Sequence, residues 1–115
     1  MDRTELKERT KAFALRVMRL VDHLPRSVKG RCIADQLMRS ASSVAANYRA
    51  ACRARSKAEF VSKLSTVVEE SDESMLWIEL IIEGGLVASS RVKSLLREAD
   101  EITAIMVSSR KTASG

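Results

Sequence analysis

Helix breakers stand at very few places in this 115-residue chain. The single proline is Pro25, and the four glycines are Gly30, the pair Gly84-Gly85, and Gly115. The segments between them are far longer than ordinary strands. They are rich in Ala, Leu, Val, Ser, Arg and Glu, with only 3% aromatic residues, a balance that favours helix over sheet. The length suits one domain with a single core.

Each segment carries an apolar repeat at helical spacing. Asp2, with Glu5 three residues on, caps a first helix expected over about 3–24, where Leu6, Phe13, Val17, Leu20, Val21 and Leu24 share a face and Pro25 ends the run. After a short link at 26–30, a second helix is expected over 31–55, with Ile33, Leu37, Ala41, Val44, Tyr48 and Cys52 toward the core. Ser56-Lys57-Ala58-Glu59 has the form of a capping box and starts a third helix over 57–84. Its stripe runs through Phe60, Leu64, Val67, Ser71, Ser74, Met75, Ile78, Ile81 and Ile82, and Gly84-Gly85 supplies a left-handed end. Ser90 is the expected cap of a fourth helix over 91–111, with Val92, Leu95, Leu96, Ala99, Ile102, Ile105 and Met106 inward and a frayed tail over 108–115. Four amphipathic helices joined by short links have one economical packing, an all-α, antiparallel up-and-down four-helix bundle over 1–115.

Several function classes lack their residues. No window has the length of uncharged apolar chain that a membrane span needs, and the charged start, Met1 to Glu5, has no secretory apolar region, so a cytoplasmic address is expected. Cys32 and Cys52 lie in one expected helix, roughly 30 Å apart at the standard rise, too far to bridge. There is no Cys/His cluster for zinc, no Glu-x-x-His pair for a di-metal carboxylate site, and no Gly-rich phosphate loop. The one histidine, His23, stands at a helix end, where it suits the terminal carbonyls. No serine or cysteine has an evident base. The expectation is a non-enzyme with no cofactor, no metal, no membrane partner and no small-molecule substrate.

Charge is distributed unevenly. Residues 1–57 hold 14 Lys and Arg against 5 Asp and Glu, whereas 58–115 hold 6 against 10. On the second helix Arg31, Arg39, Arg49 and Arg53 fall on the side opposite the core, with Ala46 and Ala50 beside them, and Arg55 and Lys57 follow at the next turn. This arc reads as a solvated face, as a surface for RNA or another polyanion, or as a partner for acidic residues of a neighbouring subunit. Tyr48 falls on the core face and no aromatic platform accompanies the arginines, so reading of bases is not indicated. Ser40 and Asn47, in a polar seam with Gln36 and Ser43, and the carboxylates Glu70, Glu73 and Glu98 are candidates for a network between helices, with Arg39 or Asn47 as donors. Leu76 and Leu80 project from the back of the third helix and, with Trp77, mark a candidate oligomer interface.

At Gln36-Leu37-x-Arg39-Ser40-x-x-Ser43-Val44-x-x-Asn47 the chain resembles the four-helix-bundle family whose founding members are encoded in intervening sequences of bacterial 23S ribosomal RNA genes. Glu59-Phe60-x-x-Lys63-Leu64, Glu70-x-x-Glu73-x-x-x-Trp77-x-Glu79-Leu80 and Leu95-Leu96-Arg97-Glu98-Ala99 look like its later blocks, so the resemblance spans nearly the whole chain. It implies a cytosolic helical bundle without catalytic residues that assembles into a homo-oligomer, a pentameric ring. Accessory proteins of diversity-generating retroelements are similar in fold and bind nucleic acid and a reverse transcriptase, which implies an RNA-linked role. Two departures stand out: Ala45 where many members have Pro, and Arg49-Ala50-Ala51 in place of an Ala-Glu-Gly-like sequence. Both should leave the second helix straighter and longer, and its surface more basic.

Together these features lead to the expectation of a self-associating bundle that presents basic surface from its first two helices to RNA or another polyanion. The alternative is an interaction scaffold whose basic face meets an acidic protein.

Overall fold

The computed structural model describes the backbone of residues 1–115 and every side chain except that of Arg91. It contains α1 (Arg3–Val21), α2 (Val28–Cys52), α3 (Lys57–Glu83) and α4 (Ser89–Ser114), with no strand among the described residues. Successive helices pack against each other in chain order, α2 and α4 both lying along α3, while α4 closes onto α1 only loosely. The result is an antiparallel bundle of 44 × 22 × 20 Å.

The expected stripes meet in the middle. Phe13 and Val17 of α1, Leu37 and Val44 of α2, Leu64, Val67, Ile78 and Ile81 of α3, and Ile102 and Met106 of α4 are fully buried. Each such side chain contributes about 1.5–3 kcal/mol on burial. Tyr48 joins this core, and its burial pushes the phenol above its ordinary value, with the Cys52 thiol adding to the effect. Ile33 and Cys52, expected inside, are only half-buried.

Helix ends differ from expectation in ways that local chemistry explains. α1 stops at Val21 rather than Leu24, because the residue before Pro25 cannot hold helical torsions easily, and residues 22–24 form a tightened turn with His23 N donating to Leu20 O. α2 starts at Val28 and not Arg31: Ser27 is the cap, its Oγ accepting from Gly30 N at 3.1 Å. It ends at Cys52 rather than Arg55, running unbroken through Ala45 and Ala51. The Ser56 cap holds as expected, Glu59 N donating to its Oγ at 3.1 Å, but the Glu59 carboxylate accepts from Arg55 N instead of from the cap's own amide. At the far end Leu86 N donates to Ile81 O and Gly85 N to Ile82 O, a Schellman turn that requires the φ of +63° at Gly85. α4 begins at Ser89 with Ala88 at the cap and no side-chain bond there, so Ser90 is not the cap. Nor does the tail fray: the helix continues to Ser114, with Thr112 and Ser114 hydroxyls donating to carbonyls four residues back.

Candidate anion-binding surface

α1 and α2 run antiparallel, so the start of α1 lies beside the end of α2. Arg3, Lys7 and Lys11 recur every four residues and therefore form one stripe along α1. Across from Lys7 and Lys11, α2 contributes Arg49 and the small residues Ala45 and Ala46. These five residues line a groove of about 420 Å³ with no acidic side chain in its walls. The alanines have too little bulk to fill the space between the helices, and the cations stand along its edges. Consecutive cations on α1 are about 6 Å apart along the axis.

A second cleft, about 480 Å³, opens where α1 begins, α2 ends, α3 begins and α4 ends. Arg3, Arg55 and Lys57 supply its charge, and Ala51, Ala54, Ser56, Phe60 and Ala113 complete its lining. The Arg3 guanidinium lies over the Phe60 ring, 4.7 Å from the centroid. An aromatic does therefore accompany the basic residues, contrary to the expectation from α2 alone. A projection of α2 hides it because Phe60 belongs to the core stripe of a different helix. Nearby, Asp2 caps α1, and the amide of Glu5 donating to it at 2.8 Å holds its carboxyl below the usual value.

The six basic candidates part company. Arg49 lines the groove, Arg55 and Lys57 line the cleft, and Arg53 is exposed just beyond the end of α2. Arg31 is exposed but lies 18 residues back along α2, roughly 27 Å from Arg49, with its Nη1 donating to Arg26 O. Arg39 is not free for an anion: its guanidinium donates to Glu70 Oε2 at 3.2 Å and to Glu73 Oε1, both on α3. Those two carboxylates raise its pKa, Glu73 contributing most. Its long side chain crosses from the back of α2 to the neighbouring helix, which a projection of one helix does not show. Arg3, Lys7 and Lys11 escape a reading centred on α2, although their four-residue spacing is a signal the sequence does carry.

The expected polar network is four separate sets of contacts. Ser40 Oγ and Ser74 Oγ share a buried hydrogen bond of 2.8 Å between α2 and α3. Asn47 donates to Ser43 on its own helix and touches no carboxylate. Glu70 and Glu73 hold Arg39, while Glu98 lies between α4 and α1, gripped by Arg9 through Nε at 2.8 Å and Nη2 at 2.7 Å. A fifth contact, Ser71 Oγ to Thr103 Oγ1 at 2.7 Å, ties α3 to α4. Among the described residues no buried side-chain polar atom lacks a partner, so these bonds position helices and leave nothing open for a ligand.

Leu76 and Leu80 are 48% and 41% exposed on the back of α3. Trp77 is half-buried, its indole N–H donating to Glu73 Oε1 at 3.3 Å, so it edges that apolar surface more than it presents it. Leu15 and Met18 of α1 are exposed as well, 44% and 50%. A third cavity, about 550 Å³, lies where α1 ends and α4 begins, with Leu20, Val87, Val92 and Leu95 among its walls. Arg16 in that wall donates to Ser94 Oγ at 3.1 Å, and Arg19 and Asp22 line the same cavity. His23 closes α1, its Nδ1 2.8 Å from Arg19 O. Among the described residues no three His, Cys, Asp or Glu side chains converge as metal ligands would, and no helix is long and apolar enough to cross a membrane.

Comparison with known proteins agrees with this fold. A family model described as 23S rRNA-intervening sequence protein matches residues 3–108. The crystal structure of a protein of unknown function from the S23 ribosomal protein family, from Bacteroides thetaiotaomicron, superposes with a TM-score of 0.88 at 30% identity, covering 96% of this chain and 99% of that one. No curated protein matches.

Proposed function

We propose that this chain, which belongs to the 23S rRNA-intervening sequence protein family, is a non-enzymatic, self-associating binding protein whose α1–α2 groove holds the phosphates of RNA or another polyanion. One observation carries the reading: Lys7, Lys11 and Arg49 converge on a groove whose walls contain no carboxylate. Such a cluster repels itself unless an anion is present, so it lowers the free energy of a bound polyanion. Affinity arises from release of counterions and is not tied to sequence. The exposed Leu76 and Leu80 support self-association, because an apolar pair on the back of a helix is better covered than wet. A ring of copies, five by the family resemblance, would repeat the groove and multiply its avidity.

Binding to a structured RNA should therefore weaken steeply with salt. With about three phosphates neutralised per chain, the logarithm of affinity falls against the logarithm of salt with a slope near −3. A chain that retains no RNA even at low salt contradicts the proposal, and binding indifferent to salt points to a non-electrostatic contact. In the same samples, light scattering at tens of micromolar should return a mass above that of one chain.

A further inference from the structure

We infer that the cleft beside the groove is a base-stacking pocket: an unpaired nucleobase of a single-stranded polynucleotide lies on the outer face of the Arg3 guanidinium, while the adjoining phosphates run along Lys7, Lys11 and Arg49. This rests on the polyanion reading of the groove and adds to it the strandedness of the ligand. Three features of the structure lead there.

First, the Arg3 guanidinium carbon lies over the Phe60 ring, 4.7 Å from its centroid, so a planar cation and an aromatic already meet in the lining of the cleft. A planar cation with one face covered by an aromatic leaves its other face for a second flat ring, and guanidinium planes stack bases in this way. Second, Ala51, Ala54 and Ala113 keep the cleft open at about 480 Å³, while Arg55 and Lys57 at its edge suit the phosphates flanking a base. Third, the cleft and the groove are neighbours: Arg3 and Lys7 are one turn apart on α1, about 6 Å, so a strand seated on the groove reaches the cleft within a nucleotide or so. A duplex can lay its phosphates on the groove, but its bases remain stacked inside and cannot enter. Because stacking uses the π-face that every base has, the pocket accepts any base.

The test uses the full-length chain and oligonucleotides carrying one 2-aminopurine, whose fluorescence is quenched by stacking: a single-stranded RNA, its DNA counterpart, and a duplex with the same number of phosphates. Both single strands should respond alike, since neither the stacking nor the phosphate contacts use the 2′-hydroxyl. Arg3→Lys keeps the charge and removes the plane, and Phe60→Leu keeps apolar packing and removes the ring. Each variant should weaken single-strand binding roughly tenfold, abolish the fluorescence change, and leave duplex binding and the salt slope unaltered. Loss of affinity for both ligands alike, no loss for either, or a response confined to one of the two single strands overturns the stacking pocket. Failure of every oligonucleotide to bind at low salt instead removes the polyanion reading on which the pocket rests.

Discussion

Replacing Lys7, Lys11 and Arg49 together by glutamate should abolish RNA binding at any salt concentration while the helical signal and melting behaviour stay close to those of the parent chain. Lys11 and Arg49 are exposed and Lys7 is half-buried, and among the described residues none of the three takes part in an ion pair. Exposed charges of this kind change stability by only a few tenths of a kcal/mol each. Their effect on a polyanion is much larger. Removing one cation from a phosphate reduces the steepness of the salt dependence by about 1, so three reversals take a slope near −3 to about zero or invert it. Arg31→Glu is the informative control. It carries the same charge change as Arg49→Glu on the same helix, roughly 27 Å away, and should leave both affinity and slope nearly unaltered. If Arg31→Glu weakened binding as much as Arg49→Glu, the ligand would be responding to net charge and the groove would have no special part.

Gly30→Ala should be the most damaging small substitution in the chain, costing about 3 kcal/mol or more of stability. Gly30 sits in the first turn of α2, buried under the connection from α1. A methyl group on its Cα would stand 2.0 Å from the carbonyl oxygen of Pro25 and 3.2 Å from the Ser27 hydroxyl that caps the helix. The first obstacle is backbone and cannot swing aside. The turn between α1 and α2 must therefore open, loosening the Ser27 cap and the packing of Leu24, which the same turn tucks into the core. Alanine's better helix propensity, about 1 kcal/mol over glycine, is smaller than this penalty. Thermal denaturation followed by circular dichroism checks the balance: a Tm lowered by roughly 10 °C is expected, and a Tm raised by the substitution would mean that propensity wins and the close approach does not exist.

The same glycine shows where the sequence can and cannot be read. The four apolar stripes are legible because a bundle imposes the 3.6-residue period on every inward face, and Phe13, Leu37, Leu64, Ile78 and Ile102 all lie where that period puts them. Gly30 reads as a breaker, yet the first turn of a helix tolerates glycine, and here the turn needs it. The last turns of α4 read as a tail because Ser108 to Gly115 carries no apolar stripe; the hydroxyls of Thr112 and Ser114 bond back along the helix, and Ala113 lines the cleft beside Arg3.

The basic surface is legible only in part, for a related reason. Projecting α2 by itself identifies Arg49 correctly as outward, but a groove belongs to two helices, and Lys7 and Lys11 come from the other one. The reach of a side chain is equally invisible in projection: Arg39 crosses to Glu70 and Glu73, and Arg9 grips Glu98 from another helix pair. These bonds do hold carboxylates between helices, as expected for Glu70, Glu73 and Glu98, but not around Asn47. The Arg39 set is open to solvent on the guanidinium side, so it contributes modestly to stability and mainly fixes how α2 lies on α3.

The most direct test of the groove is amide chemical-shift mapping of the isotopically labelled full-length chain during titration with a short single-stranded RNA at low salt. The expected perturbations cluster at Lys7, Lys11, Ala45, Ala46 and Arg49, continue to Arg3 and Lys57, and vanish as salt is raised, while Arg31 and the Leu76–Leu80 surface of α3 stay unmoved. Perturbations centred on the Leu20–Val92 cavity or on the acidic face of α3, with the groove silent, would contradict it.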